Sequence, residues 1–526
     1  MKKIISILFV TLIMLPTFSC SDFLDLNPTN QPSEETFWKT EADFNMALAG
    51  IYGQVRSQNT FNALYPLLDN LSDNSYDKNG EGGAQNICRG EVTPSSWGYI
   101  PDIFSFCYKV LSRTNLFIEQ VENSSSLSDD SKERFMAEGK FFRAYFYTWL
   151  YLLYGDVPLV LNPLTLDEQY LPKEDAEIVY AQILADYDSA IKALPDVTYK
   201  EGNGHITREA VMAFKAKLIL QHAYDKGVPN KEELKDVLRL LESIKGYSLQ
   251  PEYSDLFKTE TQEDSPEIMF SIKNLAPSSC TALDMYYTNW MHACPLRNLV
   301  DEFEIEGEGE WLGSPNAALI NEDLINNPKV PVEEQEKERA KLFENRDKRL
   351  KATIFHSLKP FPHIRYIVGE TDYTGFGCFK YLQDPVIKGD LFDGEQSEQD
   401  MIHMRYGYVL LMIAEAENEV NGPTEKVYQA VNQIRQRAGQ KELPRGLSQI
   451  EMRKKIRHEW RVETAMEGLR YLEMKRWHTL GDIVNIQDPK FTDYKPKFEE
   501  RFYLWPLPQG EIDKAQGVLV QNPDYN

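Results

Sequence analysis

Cysteine is scarce: the 526-residue chain has six, too few for a scaffold built on disulfides. It contains no C-x-x-C, which removes the usual zinc-ribbon and thioredoxin-type redox patterns. Positive charge is also short. Lys and Arg number 57 against 81 Asp and Glu, for a formal net charge of −24. A phosphate backbone repels such a chain, so nucleic acid is excluded as a general partner. Long apolar runs are missing from the body of the chain. Beyond residue 20 no stretch reaches eighteen uncharged residues, and the best candidate, Phe141 to Tyr154, is interrupted by Arg143. None can span a bilayer as a helix.

What the chain has in plenty is aromatic and apolar residues. There are 28 Tyr, 26 Phe and 8 Trp, and hydrophobic residues make up 42%. A large core follows, and disorder is excluded as a class. The N-terminus is the one strongly apolar segment. Lys2 and Lys3 precede a run of uncharged, mostly apolar residues from Ile4 to Leu15, and Ser19 stands before Cys20. This predicts a lipoprotein signal over 1–19, with Cys20 acylated after cleavage. Thr17 and Phe18 depart from the strict lipobox. The mature chain is then a soluble body on a lipid tether.

Helical patterning dominates. Thr40 and Asp43 form a capping box before Phe44, Ala47, Leu48 and Ile51. Helices are predicted at about 102–122, 131–154, 207–225 and 231–245. In 174–195, Ile183, Tyr187, Ala190, Ile191 and Leu194 make one stripe that Pro195 ends. Tyr187, Ala190 and Pro195 match the end of a tetratricopeptide unit, so tetratricopeptide-like packing is expected. Residues 70–100 are rich in Gly, Asn, Asp and Ser and read as a long irregular stretch. Residues 251–400 read as an inserted, mixed region with a charged helix at 332–349. From 403 helices return, with Gly439 ending one and Ser448 with Glu451 capping another. The division predicted is 1–19 signal, 20–39 extended leader, 40–250 helical region, 251–400 loop-rich ligand region and 401–526 C-terminal helical region and tail.

Catalysis needs a constellation, and none is found. His458-Glu459 opens like a zincin motif, but Val462 stands where the second His belongs. Cys280, His292 and Cys294 match no structural zinc spacing. Cys280 with Cys294 is a possible disulfide; buried thiols are the alternative for these and for Cys88, Cys107 and Cys378. Gly307, Gly309 and Gly313 miss the dinucleotide spacing by one residue. Ser75, Asp77 and Asn79-Gly80 resemble part of a calcium loop that lacks its bidentate twelfth ligand. No metal or cofactor is therefore expected. Glu463, Glu467 and Arg470 at helical spacing read as a structural network, and Glu415 and Glu417 as solvated or interhelical salt-bridge groups.

Binding is better supported. An amphipathic ring beside amides or charges suits a sugar's apolar face and polar edge. Tyr145, Phe146, Tyr147, Trp149 and Tyr151 lie on helical pattern and read as core. Aromatics in polar loops are the informative ones: Trp97 and Tyr99 after a Thr-Pro-Ser-Ser turn, Tyr286, Tyr287 and Trp290 beside Asn289, His292 and Arg297, and Trp311 in an acidic Gly-rich loop.

Several segments together resemble the SusD/RagB family of outer-membrane nutrient-binding lipoproteins. They are the leader CSDFLDLNP from Cys20 with Phe37-Trp38, AEGKFFRAYFYTWLYLLYGDVPL (137–159), Asp347-Lys-Arg349, RYGYVLLMIAEAENE (405–419), NQIRQRAG (432–439), IRHEWRVETAMEGLRYLEMKRW (456–477), and the ending from Trp505-Pro-Leu-Pro508 to Tyr525. Trp460, Glu473 and Asp524 depart from the family pattern, and 160–345 has no clear anchor. The resemblance implies a mainly α, tetratricopeptide-like superhelix with an irregular ligand-facing part containing a few short strands. It implies a non-enzymatic protein, lipid-anchored on the outer face of the outer membrane, that captures glycans, or in some branches peptides, for a SusC-like TonB-dependent transporter. It also implies a ligand held between an early loop and the middle region, which adds Asp73 and Asn74 to the loop aromatics. The rival readings are an all-α glycosidase and a periplasmic helical scaffold.

Overall fold

Amphipathic helices with capped ends account for most of the architecture. The computed structural model describes residues 37–525 apart from 58, 79, 289, 308–319, 326, 328, 357–373 and 384–394. The signal, Cys20, most of the leader and Trp311 lie outside the described residues. The main helices before the middle region are α1 (Glu41–Ser57), α2 (Tyr99–Asn123), α3 (Asp129–Tyr154), α4 (Ala176–Ala193), α5 (Arg208–His222) and α6 (Lys231–Leu241). After it come α7 (Tyr406–Asn421), α8 (Glu425–Arg437), α9 (Gln449–Glu463) and α10 (Arg470–Arg476). The expected caps form. Thr40 and Asp43 exchange hydrogen bonds at the start of α1, and Ser448 and Glu451 close a reciprocal box on α9. Asp175 caps α4, which ends at Leu194 before Pro195.

Successive helices pack as neighbours from α2 through α6. The series continues directly from α6 to α7, and α7 also packs on α8 and α9. Residues 242–405 are thus an excursion between two adjacent helices. This is the tetratricopeptide-like arrangement the stripes predict. The aromatic run of α3 fills the centre: Tyr145, Phe146, Tyr147 and Trp149 are buried. Strands are short and paired. β1 (Ser75–Tyr76) runs antiparallel to β3 (Cys294–Pro295), and β2 (Ile268–Ile272) to β4 (Met401–Arg405). The predicted single helix at 332–349 is broken: α-helix Val332–Ala340 passes into a tight turn, and a new helix starts at Lys348, capped by the Asp347 carboxylate. Among the described residues no helix is long and apolar enough to cross a membrane.

Behind this packing lies an ionic core. Arg405 donates to Glu267 (2.7 Å), Glu463 (2.7 Å) and Glu467 (2.9 Å). Arg349 meets Asp347 (2.7 Å), Glu459 (2.6 Å) and Glu463 (2.9 Å). Arg435 joins Glu459 to Glu304, and Arg437 joins Glu463 to Glu267. Lys380 Nζ lies 2.9 Å from Glu467 and 2.6 Å from the Tyr253 hydroxyl. All of these side chains are buried. Glu463 and Glu467 are therefore structural, as expected, whereas Arg470 leaves their network and pairs with Asp73. Glu415 is not solvated. It is buried and accepts from Arg476 (2.6 Å), Trp477 (2.8 Å) and Tyr224 (2.7 Å). Gly468 follows Glu467 with φ +76°, and a Cβ there would lie 2.3 Å from the Tyr65 carbonyl oxygen. Only glycine lets the two segments touch.

Candidate functional site

The site is assembled from two distant stretches, 59–98 and 283–298. β1 and β3 pair Ser75 with Pro295 and Tyr76 with Cys294. Side chains extend that junction. Asn70 donates to the His292 carbonyl (2.7 Å), Asn298 donates to the Asp73 carbonyl (2.8 Å), and His292 Nδ1 lies 3.1 Å from Asp77 Oδ1. Asn59 Nδ2 donates to the Tyr286 hydroxyl at 3.1 Å. Sequence reasoning missed Asn59, and nothing local marks it: its role exists only once 227 residues of chain have returned to it.

Three rings cluster here, two reaching the surface and His292 buried beneath them. Tyr286 and Trp290 meet edge to face with centroids 4.9 Å apart, and His292 lies 5.2 Å from Tyr286 and 6.0 Å from Trp290. The backbone fixes this turn, because Trp290 N donates to Met285 O and His292 N to Tyr286 O, each at 2.9 Å. Trp290 is 39% exposed. Trp97 is 57% exposed and follows the turn that Thr93 and Ser96 close. Gly98, next in the chain, has φ +78°, and a Cβ on it would lie 2.1 Å from the Gly82 backbone. That close approach presses the 80–83 loop onto the start of α2 and sets the position of Trp97.

The other predicted residues support this surface from beneath. Tyr99 and Tyr287 are buried, and neither ring has a face to offer a ligand. Burial pushes the Tyr287 phenol well above its usual range. Asn74 is buried, donating to Asp69 (3.0 Å) and accepting from Arg461 (3.0 Å). Arg297 is buried against Asp301 at 2.9 Å. Asp73 is fixed by Arg470 (2.7 Å) and Arg461 (3.3 Å). Burial would raise its pKa, but the two guanidinium groups hold the carboxyl well below the usual range. Of these five residues Tyr99, Tyr287, Asn74 and Arg297 are buried and Asp73 is half-buried and doubly paired, so the structure turns their polar groups inward. The exposed candidates are Trp97, Trp290 and the half-buried Tyr286.

Among the described residues no cluster of three or more His, Cys, Asp or Glu is placed to hold a metal. Cys280 and Cys294 are not bridged, and all five described cysteines are thiols. Burial raises Cys88 to about 12, which leaves it unreactive.

The described residues form a helical scaffold with aromatic rings exposed on loops and charged groups paired beneath them. The comparisons supply the family. Residues 252–525 match the model of the SusD family, and residues 22–220 match a second model described as starch-binding, associating with outer membrane. The chain belongs to the SusD family. A SusD-like protein of Formosa agariphila is 25% identical, with alignment covering 100% of this chain and 99% of that one. A SusD-like carbohydrate-binding protein of Bacteroides fragilis superposes with a TM-score of 0.74 at 22% identity, covering 92% of this chain and 99% of that chain. Surface glycan-binding protein A of Bacteroides fluxus gives 0.72 at 19%, covering 93% and 100%. At such identities the structural likeness speaks to the fold.

Proposed function

We propose that this protein is a non-enzymatic glycan receptor, lipid-anchored through Cys20 on the outer face of the outer membrane. It captures oligosaccharide or polysaccharide and passes it to a SusC-like TonB-dependent transporter. The observation that carries the reading is the exposed Trp97 and Trp290, with Tyr286, on a surface whose neighbouring charges are tied down. Rings of this kind stack on the CH faces of sugars, and nearby amides serve the hydroxyl edge. Holding ligand beside a pore raises its local concentration there. Relatives named as carbohydrate- and glycan-binding proteins support the ligand class.

The test is affinity electrophoresis and calorimetry against a panel of polysaccharides and peptides. Binding to a glycan, with products unchanged in length after incubation and with co-purification of a transporter, is the expected result. Peptide binding alone would move the protein to the RagB-type branch. Shortened products would make it a glycosidase. Failure to bind either class would end the receptor reading.

A further inference from the structure

A second concavity opens next to the aromatic face, on the chain segment that leads into it. It lies between the last turns of α1, the 199–204 loop and residues 271–279, which continue from β2. Lys273, Asn274 and Leu275 divide it into two openings of about 280 and 330 Å³. This is room for roughly one sugar ring or two, at the small end of ligand pockets.

The first opening is lined by two basic side chains, one of them already neutralised. Arg56 and Lys273 line it, and among the described residues no Asp or Glu does, in a chain of net charge −24. Lys273 is held from behind. Its Nζ lies 2.8 Å from the buried Asp400 and 2.7 Å from the exposed Glu263, and 5.3 Å over the Tyr199 ring. Arg56 is half-buried, and its guanidinium makes no hydrogen bond or ion pair with the described residues. Few guanidinium groups stay unmatched where acids are so plentiful.

The walls are fixed before any ligand arrives. Asn274 and Asn62 exchange amide hydrogen bonds of 2.9 and 3.0 Å, and Asn274 also donates to Gln399 O at 2.7 Å. Tyr52 is tied through its hydroxyl to Glu138 at 2.8 Å, leaving its ring along the groove. Leu275 stands 64% exposed at the rim, on a turn that Leu275 and Ser279 close with two backbone hydrogen bonds. The groove therefore offers one guanidinium with no carboxylate partner among the described residues, a hydroxyl from Ser279 and apolar surface, on walls that Lys273 and Asn274 hold rigid. It also adjoins the aromatic face, because Asn59, three residues beyond Arg56, is the group that holds Tyr286.

We propose that this groove is a second subsite for an anionic sugar residue, its carboxylate or sulfate ester seated on Arg56. The neighbouring part of the same glycan lies on Tyr286 and Trp290. A planar guanidinium grips either anion through two parallel hydrogen bonds. This rests on the reading of the protein as a glycan receptor and narrows its substrate class to acidic glycans.

The test is an array of neutral, uronate-containing and sulfated oligosaccharides, probed with the protein, Arg56→Gln, Arg56→Lys and Trp290→Ala. The strongest ligands should carry carboxylate or sulfate, and the two acidic arms show which. Arg56→Gln should weaken them about tenfold or more, Arg56→Lys should restore part of the loss, and added salt should weaken the parent protein more than Arg56→Gln. Melting temperatures of the Arg56 variants should match the parent. Preference for neutral glycans, or acidic ligands indifferent to Arg56→Gln, would overturn the subsite; if Trp290→Ala still abolished binding, the receptor reading would stand. Binding to no glycan would overturn both.

Discussion

The ionic core around α9 and the aromatic face at 75–98 and 283–298 treat polar groups in opposite ways. In the core each guanidinium meets two or more acceptors: Arg349, Arg405, Arg435 and Arg437 are shared among Asp347, Glu267, Glu304, Glu459, Glu463 and Glu467. Among these side chains Arg437 Nε alone has no hydrogen-bond partner in the described residues. On the face, Trp97 and Trp290 keep much of their ring surface exposed. Four of the segments through which the chain resembles its family (Asp347 to Arg349, 405–419, 432–439 and 456–477) supply the core, while 137–159, the ending from Trp505 and the described part of the leader do not. Those motifs therefore report a way of locking helices to an inserted region. Ligand choice is written elsewhere, in loops free to vary.

Breaking the core should have the largest effect. Arg405→Met leaves Glu267, Glu463 and Glu467 buried with fewer countercharges. Removing one partner of a buried ion pair costs about 3–5 kcal/mol, a large share of the roughly 5–15 kcal/mol that holds a protein folded. Denaturant unfolding followed by circular dichroism should show that loss. An unchanged midpoint would mean the core is not what fastens the inserted region.

Acid should attack the same region next. Glu463, Glu467 and Asp73 are all partly raised by burial, yet neighbouring Arg and Lys hold each below its ordinary range. Their contribution is present above the ordinary carboxylate range and is lost as pH falls through the lowered values. Burial depresses His403 to about 3 from 6.5, so its contribution is full above pH 6.5 and drains away toward pH 3. Asp69 runs the other way: burial raises it to about 6, and its contribution, full below 3.8, is lost as pH rises through 6. Burial raises Glu209, Asp400 and Asp488 as well, so between pH 7 and pH 4 these acids and Asp69 oppose His403. The lowered carboxylates act below their ordinary range, so the melting temperature should fall from about pH 4 toward about pH 2, and a rise over that interval would contradict the assignment.

The sequence made the frame far more legible than the face. The stripe of Ile183, Tyr187 and Ala190 and the caps at Thr40 and Ser448 are local signals, and the helices follow them. Loop aromatics pointed to two stretches that the structure pairs through Ser75 with Pro295 and Tyr76 with Cys294. They did not tell Trp97 from Tyr99, two residues apart, because one ends a turn and the other enters the first turn of α2, where it faces inward. Tyr286 and Tyr287 divide the same way on a one-turn helix. The acid at 73 looked available to a ligand, since its partners Arg461 and Arg470 are almost 400 residues distant. Contacts of that kind have no period to betray them.

The face itself is tested by Trp97→Ala and Trp290→Ala. Each ring removed should cost about 1–2 kcal/mol of binding, roughly five- to thirtyfold in Kd by calorimetry, with stability changed by about 0.5 kcal/mol or less. Core variants should show the reverse pattern. A tryptophan variant that melts several degrees lower yet binds normally would show that its ring pins a loop and contacts no glycan.

The smallest effect separates the two roles within one residue. Tyr286→Phe keeps the ring that meets Trp290 and removes the hydroxyl that accepts from Asn59. A partly exposed hydrogen bond of this kind is worth about 1 kcal/mol. If the hydroxyl serves only to hold the ring, Asn59→Ala should lower affinity by the same few-fold factor as Tyr286→Phe, and the double variant should do no more than either alone. If the hydroxyl also touches the glycan, Tyr286→Phe should cost more than Asn59→Ala, and that excess would persist in the double variant. The outcome decides whether the face recognises its ligand through ring surface alone or also through a polar edge.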